Sequence, residues 1–385
     1  LLALPEYEKT MRGLSHTPRE IHQQPKTWKT TYQIISQQQA QLREFLAGSG
    51  VGISNSSQPT VFLIGAGTSD YVGRALTQLL RRKWRCEVLA VPSTDLLTEM
   101  AGMILPDRPY LWISFSRSGD SAEGVAVLAA ALERHPQIRH LVVSCNQHGR
   151  MVRDFAGRTN VLSLVLDDAV NDRGLAMTSS FTNMVIAGQC LAHIAALAEY
   201  EAVLESLCAA GKNVLASAAN LAAQLAEESY AQACFLGSGA LNAVALESAL
   251  KLLELTAGRI LTTSESFLGV RHGPLSAVGN ETLLVTFLSG EAQRQSYELD
   301  LLAEVQRKEL GRKRIVIAAN DAAAADEIIR LNLPANFADE YRPPVDVLFG
   351  QLLGLFSSLR QGLKPDTPSP NGAINRVVSE VKIYS

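Results

Sequence analysis

The chain has no Cys-x-x-Cys pair, no Gly-Lys-Ser or Gly-Lys-Thr, no apolar run long enough to span a bilayer, and a net charge of only −3. Each absence removes a class of function. The five cysteines (Cys86, Cys145, Cys190, Cys208 and Cys234) are scattered, which argues against a zinc site and a disulfide framework and suits a reducing, cytoplasmic setting. Without a Walker loop, phosphate binding of the P-loop kind is excluded. A Rossmann fingerprint also fails, because Asp70 and Asn242 stand where its third glycine would be. The seven histidines show no His-x-x-x-His spacing and no His-carboxylate cluster, so neither a metal nor a cofactor is expected. The small net charge argues against a nucleic-acid or membrane-surface partner. The longest apolar stretch, Val185 to Ala198, is interrupted by Gln189 and His193 and is too short to cross a membrane. No signal peptide is visible, and the chain opens on Leu1 instead of Met, so native residues are expected before it.

What is present is the material of an ordinary globular protein: 385 residues, 47% hydrophobic and 19% charged, enough for two domains of usual size. Residues 1–55 read as a peripheral helical segment, with Thr17-Pro18-Arg19-Glu20 as a capped helix start. Gly48 to Pro59 reads as a loop. A strand then runs through Thr60–Ile64 into the turn Gly65-Ala66-Gly67-Thr68-Ser69 and a helix. Further strands are expected at Glu87–Val91, Leu111–Phe115, His140–Ser144 and Asn160–Leu166, before an Ala-rich helical region that reaches about Tyr230. Strand, glycine turn and helix in this order predict an α/β fold with a parallel sheet.

The second half repeats the first. Phe62-Leu63-Ile64-Gly65-Ala66-Gly67 returns, one residue shorter, as Phe235-Leu236-Gly237-Ser238-Gly239, and Val142–Asn146 returns as Val316–Asn320. The spacings agree: 53 residues from Phe62 to Phe115 against 52 from Phe235 to Phe287, then 31 to Asn146 against 33 to Asn320. Two copies of one domain are therefore expected, at 56–205 and 206–365, with a tail at 366–385. The copies differ in their polar residues. Only the first carries the loop Ser116-Arg117-Ser118-Gly119-Asp120-Ser121; only the second carries Glu247, Lys251 and Glu254, followed by His272 in Arg271-His272-Gly273-Pro274. One composite site, anchored by the first copy and reactive through the second, is the economical reading.

In the second copy, Glu247, Lys251 and Glu254 fall at i, i+4 and i+7 of an Ala/Leu-rich helix and so share one face. That pattern also describes a surface ion pair followed by a loop histidine. In the first copy, a hydroxyl-rich loop opening a helix beyond a strand end suits a phosphate, with Thr68 and Ser69 adding hydroxyls from the side. The competing reading is a tight turn that caps a helix.

Taken together, Gly67-Thr68-Ser69, Ser116-x-Ser118-Gly119-x-Ser121, Glu247-x-x-x-Lys251-x-x-Glu254 and His272-Gly273-Pro274 resemble the sugar-isomerase (SIS) domain pair, as in the isomerase half of glucosamine-6-phosphate synthase. Within that family the chain is most similar to the tagatose-6-phosphate ketose/aldose isomerase and galactosamine-6-phosphate deaminase branch, over essentially its whole length. The resemblance implies two tandem SIS domains, each a flavodoxin-like three-layer sandwich. It implies that Ser69, Thr68, Ser116, Arg117, Ser118 and Ser121 hold the phosphate of a hexose 6-phosphate. Glu254 would move a proton between C1 and C2 while Glu247 and Lys251 support it. His272, acting across the interface of a homodimer, would open the ring, and Leu175, Met177 and Arg376 would lie at the sugar. Carboxylate and imidazole suit such proton transfers near neutral pH.

Several positions depart from the synthase pattern: Arg117 replaces a glutamine, Met177 a serine, Ser179 a lysine and Arg376 the lysine of the tail. No glutaminase domain is present to supply ammonia for synthesis, so the deaminating direction is expected, giving tagatose 6-phosphate and ammonia. Isomerisation of an unaminated sugar phosphate is the alternative, and a non-catalytic sugar-phosphate sensor is a third reading.

Overall fold

The computed structural model describes residues 1–52, 58–228, 230–320, 325–378 and 381–384. Helices α1 (Glu6–Arg12), α2 (Thr17–His22), α3 (Gln24–Gln37) and α4 (Gln39–Gly48) precede the first strand. Five strands follow: β1 (Thr60–Gly65), β2 (Val88–Pro92), β3 (Tyr110–Ser116), β4 (Arg139–Ser144) and β5 (Val161–Val165). Between them lie α5 (Thr68–Trp84), α6 (Ser93–Met103), α7 (Ala122–Arg134) and the short α8 (Arg150–Arg153). The Ala-rich region is broken into α9 (Ser179–Ala192), a 3-10 stretch, and α10 (Glu201–Glu227). The second set comprises β6 (Gln232–Gly237), α11 (Ala240–Leu255), β7 (Leu261–Glu265), β8 (Thr282–Phe287), α12 (Ala292–Arg307), β9 (Lys313–Ala318), β10 (Glu327–Arg330) and α13 (Pro343–Arg360).

Both sheets are parallel, and their strand orders, β2-β1-β3-β4-β5 and β10-β9-β8-β6-β7, are the same order read from opposite edges. This is the doubly wound 2-1-3-4-5 arrangement. The repeat extends to backbone geometry: the glycine before α5, Gly67, has φ 54° and ψ −126°, and the one before α11, Gly239, has φ 61° and ψ −130°. A Cβ is strained at such positive φ, which explains glycine at both.

The chain divides into two compact units. The first-sheet unit contains Lys26–Asp172, Ser179–Ala202 and Ile374–Ser385. The second-sheet unit contains Leu1–Pro25, Arg173–Thr178 and Val203–Ala373. Residues at the two chain ends thus join units remote from them in sequence. Within the second-sheet unit, Asp366 accepts hydrogen bonds from the backbone N–H and hydroxyl of Thr17, both at 2.8 Å. Glu20 accepts from the backbone of Arg173 and Gly174. The helix expected to start at Thr17 does so as α2, with His16 at its N-cap and no side-chain cap bond, while Thr17 and Glu20 bond partners distant in sequence.

In the first-sheet unit the core is a contiguous apolar cluster that includes Phe62, Ile64, Trp112, Val127 and Ile138. His140 on β4 sits in this interior, fully buried, with its ring edge-on to Trp112 at 5.3 Å and neither ring nitrogen hydrogen-bonded. Burial penalises the imidazolium and pushes the pKa down to about 4, from an ordinary 6.5. Between these values the unfolded chain binds the proton and the folded one does not. Stability from this residue is therefore complete above pH 6.5 and lost as the pH falls towards 4, by about 3 kcal/mol in total. His140→Phe is expected to flatten this acid limb. Urea unfolding of both proteins at pH 7 and pH 4.5 checks it, and equal losses in the two would refute it.

Candidate functional site

In the first-sheet unit, Thr68 and Ser69 form the buried first turn of α5, directly beyond β1. The loop between β3 and α7 holds Ser116, Arg117 and Ser118, all buried, and Ser121, which is half-buried. Its turn is closed by hydroxyls: Gly119 N–H donates to Ser116 Oγ at 3.0 Å and Asp120 N–H to Ser118 Oγ at 3.1 Å. Ser121 stands at the N-cap of α7 without making a side-chain cap bond. The segment from the end of β4 into α8 braces the loop, since Asn146 Nδ2 donates to the Ser118 carbonyl at 2.8 Å and Met151 N–H to the Gly119 carbonyl at 2.9 Å. Hydroxyls beside a helix N-terminus can turn their protons to an oxyanion.

The tail of the same unit lies against this loop. Arg117 donates from its guanidinium to the Arg376 carbonyl, and Ala122 N–H reaches the Val378 carbonyl at 3.4 Å. Arg376 turns its own guanidinium onto Asn171 Oδ1 and the Asp172 carbonyl, both at 2.7 Å. Asp172 in turn caps α9, accepting from Ser179 N–H at 3.1 Å and Ser180 N–H at 2.8 Å. Arg117, Arg376 and the first turn of α9 are thus one hydrogen-bonded series.

In the second-sheet unit, α11 packs against α13 so closely that a Cβ on Gly350 would lie 2.3 Å from Ser248 Oγ. This approach buries the polar face of α11. Lys251 bridges two carboxylates, 2.6 Å from Glu254 Oε2 and 3.4 Å from Glu247 Oε1. Side-chain exposures are 0% for Glu247, 1% for Lys251 and 23% for Glu254, so the row opens to solvent only at its Glu254 end. Burial alone would push the Lys251 ammonium down, but Glu247 and Glu254 outweigh it and hold its pKa above the ordinary value. Lys251 therefore stays charged, and Glu254 presents a carboxylate steadied on one oxygen.

His272 ends a 3-10 turn, Gly269–His272, after β7 and is exposed. Its neighbour Arg271 is held on α12 by Asp300 at 2.7 Å and Glu304 at 2.9 Å. Among the described residues no hydrogen bond joins His272 to the Glu247–Lys251–Glu254 row. Leu175 and Met177 are half-buried in Arg173–Thr178, which is anchored by Leu175 N–H on the Asp366 carbonyl at 3.0 Å.

Residues 55–194 match the family model described as SIS domain. The D-galactosamine-6-phosphate deaminase AgaS of Escherichia coli O157:H7 is 35% identical over 371 residues, an alignment that covers 96% of this chain and 95% of that protein. The chain belongs to the SIS-domain family. The solved structure of tagatose-6-phosphate ketose/aldose isomerase from Escherichia coli is similar at TM-score 0.86 and 32% identity, covering 96% of each chain. The C-terminal domain of glucosamine-fructose-6-phosphate aminotransferase from Francisella tularensis, at 19% identity, TM-score 0.75 and coverage of 92% and 99%, shares the fold.

Two supports of this SIS loop were not singled out from the sequence as site residues. Asn146 was visible as a repeat landmark beside Asn320, yet nothing local showed that its amide would hold Ser118. Nothing local marks Asp172; its seven-residue reach to Ser179 is what makes it a helix cap.

Proposed function

We propose that the chain is a sugar-phosphate deaminase/isomerase that converts galactosamine 6-phosphate and water to tagatose 6-phosphate and ammonia. The observation that carries the reaction is the near full-length similarity to the deaminase AgaS. The open Glu254 end of a buried carboxylate–ammonium–carboxylate row supports the choice of base. Phosphate binding is assigned to Thr68, Ser69, Ser116, Ser118 and Ser121, with Arg117 adding positive charge, and so to domain 56–205. Proton transfer is assigned to Glu254 in domain 206–365. It takes the C2 proton of the open-chain amino aldose and returns it to C1, while O1 gains a proton and the amine gives one up, and the resulting C2 imine is hydrolysed by water to the ketone with release of ammonia. Lys251 and Glu247 hold Glu254 in place. Leu175, Met177 and Arg376 are assigned to the sugar end, Arg376 acting through the tail that it fastens. A cytoplasmic homodimer, with His272 of the partner subunit taking the ring-hydroxyl proton, completes the proposal.

The alternative, isomerisation of an unaminated hexose 6-phosphate, draws on the likeness to the ketose/aldose isomerase structure. Purified protein is expected to release ammonia and ketose in equal amounts from galactosamine 6-phosphate, and much more slowly from glucosamine 6-phosphate. A panel scored for both products decides: ketose formed from galactose 6-phosphate, the unaminated aldose, with no ammonia from either amino sugar would replace deamination with isomerisation. Binding without any turnover would leave a sensor.

A further inference from the structure

The loop of the second copy that corresponds to Ser116–Ser121 lies between β8 and α12 and reads Leu288-Ser289-Gly290-Glu291. It keeps the local turn of the first copy: Glu291 N–H donates to Ser289 Oγ at 3.0 Å, as Asp120 N–H does to Ser118 Oγ at 3.1 Å. What differs is the occupant. The carboxylate of Asp339, buried, enters the loop from a turn that precedes α13. Its Oδ1 accepts from Gly290 N–H at 2.9 Å and Arg342 Nη1 at 3.0 Å. Its Oδ2 accepts from the Ser289 hydroxyl and from Arg294 Nη1 at 3.0 Å. A backbone N–H, a hydroxyl and two guanidinium groups are the donors that proteins direct at phosphate oxygens. Arg342 is fully buried and is also held by Asp346 at 2.8 Å and by the Leu288 carbonyl at 2.9 Å, so it is fixed at the loop. The remaining donors of the loop and helix start are likewise served from within: Ser289 N–H by Glu298 at 2.7 Å, and Gln293 and Arg294 N–H by Glu291 at 3.1 and 2.9 Å. In the first copy the N-cap residue of α7 is Ser121, one place later in the loop than Glu291, and it makes no such cap bond.

We propose that the second copy retains an oxyanion-binding loop whose ligand is the chain's own Asp339 carboxylate, and that removing this carboxylate opens a site for inorganic phosphate. The internal ligand confines phosphate binding to the first copy and fixes the segment before α13 to the end of β8. Loss of Asp339 leaves Gly290 N–H, the Ser289 hydroxyl, Arg294 Nη1 and Arg342 Nη1 without the acceptor they share, while Asp346 still pairs with Arg342 and Glu291 and Glu298 still bond the loop backbone, so it is these vacated donors that draw a phosphate.

Full-length wild type and Asp339→Ala are compared in chloride buffer at constant ionic strength. Equilibrium dialysis with labelled inorganic phosphate counts ions bound per chain, and thermal unfolding is followed with and without phosphate. Wild type is expected to bind no more than one phosphate per chain and Asp339→Ala one more than wild type. The variant is expected to melt lower in chloride and to regain a larger part of its Tm with phosphate than wild type gains. Asp339→Asn, which gives up the charge but whose amide still fills the loop and keeps an acceptor for Gly290 N–H, is measured in parallel and is expected to bind less extra phosphate than Asp339→Ala. The proposal is overturned if wild type already binds two phosphates, or if every variant that folds has the stoichiometry and phosphate-induced Tm shift of wild type. Should neither variant fold in chloride, both are refolded in phosphate; failure to recover soluble protein there also overturns it.

Discussion

Glu254→Gln is expected to lower kcat by about 10²- to 10⁴-fold, the usual contribution of a positioned general base, while KM for the sugar phosphate changes little. The amide keeps the shape of the side chain and still offers an oxygen to Lys251, which lies 2.6 Å from the present carboxylate. What it cannot do is accept a proton from C2. Glu254 is also the one member of its row with appreciable exposure, 23% of its side chain, and Glu247 remains beside Lys251 when the Glu254 charge is removed, so Tm is expected to fall by no more than a few degrees. Ammonia and ketose production by the purified variant, with thermal unfolding alongside, tests the assignment. Turnover equal to wild type would remove Glu254 from the reaction. Loss of activity together with a large fall in Tm would make it a structural residue.

Where elements are set by local pattern, the sequence was a sufficient guide. The strands expected at Leu111–Phe115 and His140–Ser144 occur as Tyr110–Ser116 and Arg139–Ser144, because short apolar runs ending in polar turns leave few other solutions. The repeat landmarks Phe62 and Phe235 fall on β1 and β6, which occupy equivalent places in two sheets of identical order. The row on α11 was legible for the same reason, since i, i+4, i+7 spacing fixes which side chains share a helix face. Features that depend on distant pairing were not legible. Thr17 and Glu20 look like a capping box, yet their partners are Asp366 and the Arg173–Gly174 backbone. Nothing near residue 17 announces them. Asp339 lies 50 residues beyond Ser289, and its carboxylate looks like any surface acid until the fold delivers it to the loop. Ser289-Gly290 appears in the sequence as a weaker echo of Ser118-Gly119. The structure shows that its donors are retained and filled from within.

The largest stability effect is expected at Lys251. With side-chain exposures of 1% for Lys251 and 0% for Glu247, the ammonium and the inner carboxylate are held in low dielectric, 3.4 Å apart. Lys251→Met preserves the bulk of the stem but removes the cation that Glu247 faces, and breaking a buried pair from one side costs about 3–5 kcal/mol. Adding Glu247→Gln removes the uncompensated charge. The double variant is therefore expected to be more stable than Lys251→Met alone, although it carries one more substitution. Urea unfolding of wild type, both single variants and the double variant closes the cycle. Strictly additive losses, or a Lys251→Met loss below about 0.5 kcal/mol, within the range of an ordinary surface change, would mean that the row is not a coupled buried unit. The double variant also separates structure from chemistry. It restores packing around α11 without restoring an ammonium beside Glu254, so if Lys251 serves only to stabilise the helix, activity recovers with stability. If it steadies the Glu254 carboxylate for proton transfer, stability recovers and kcat does not.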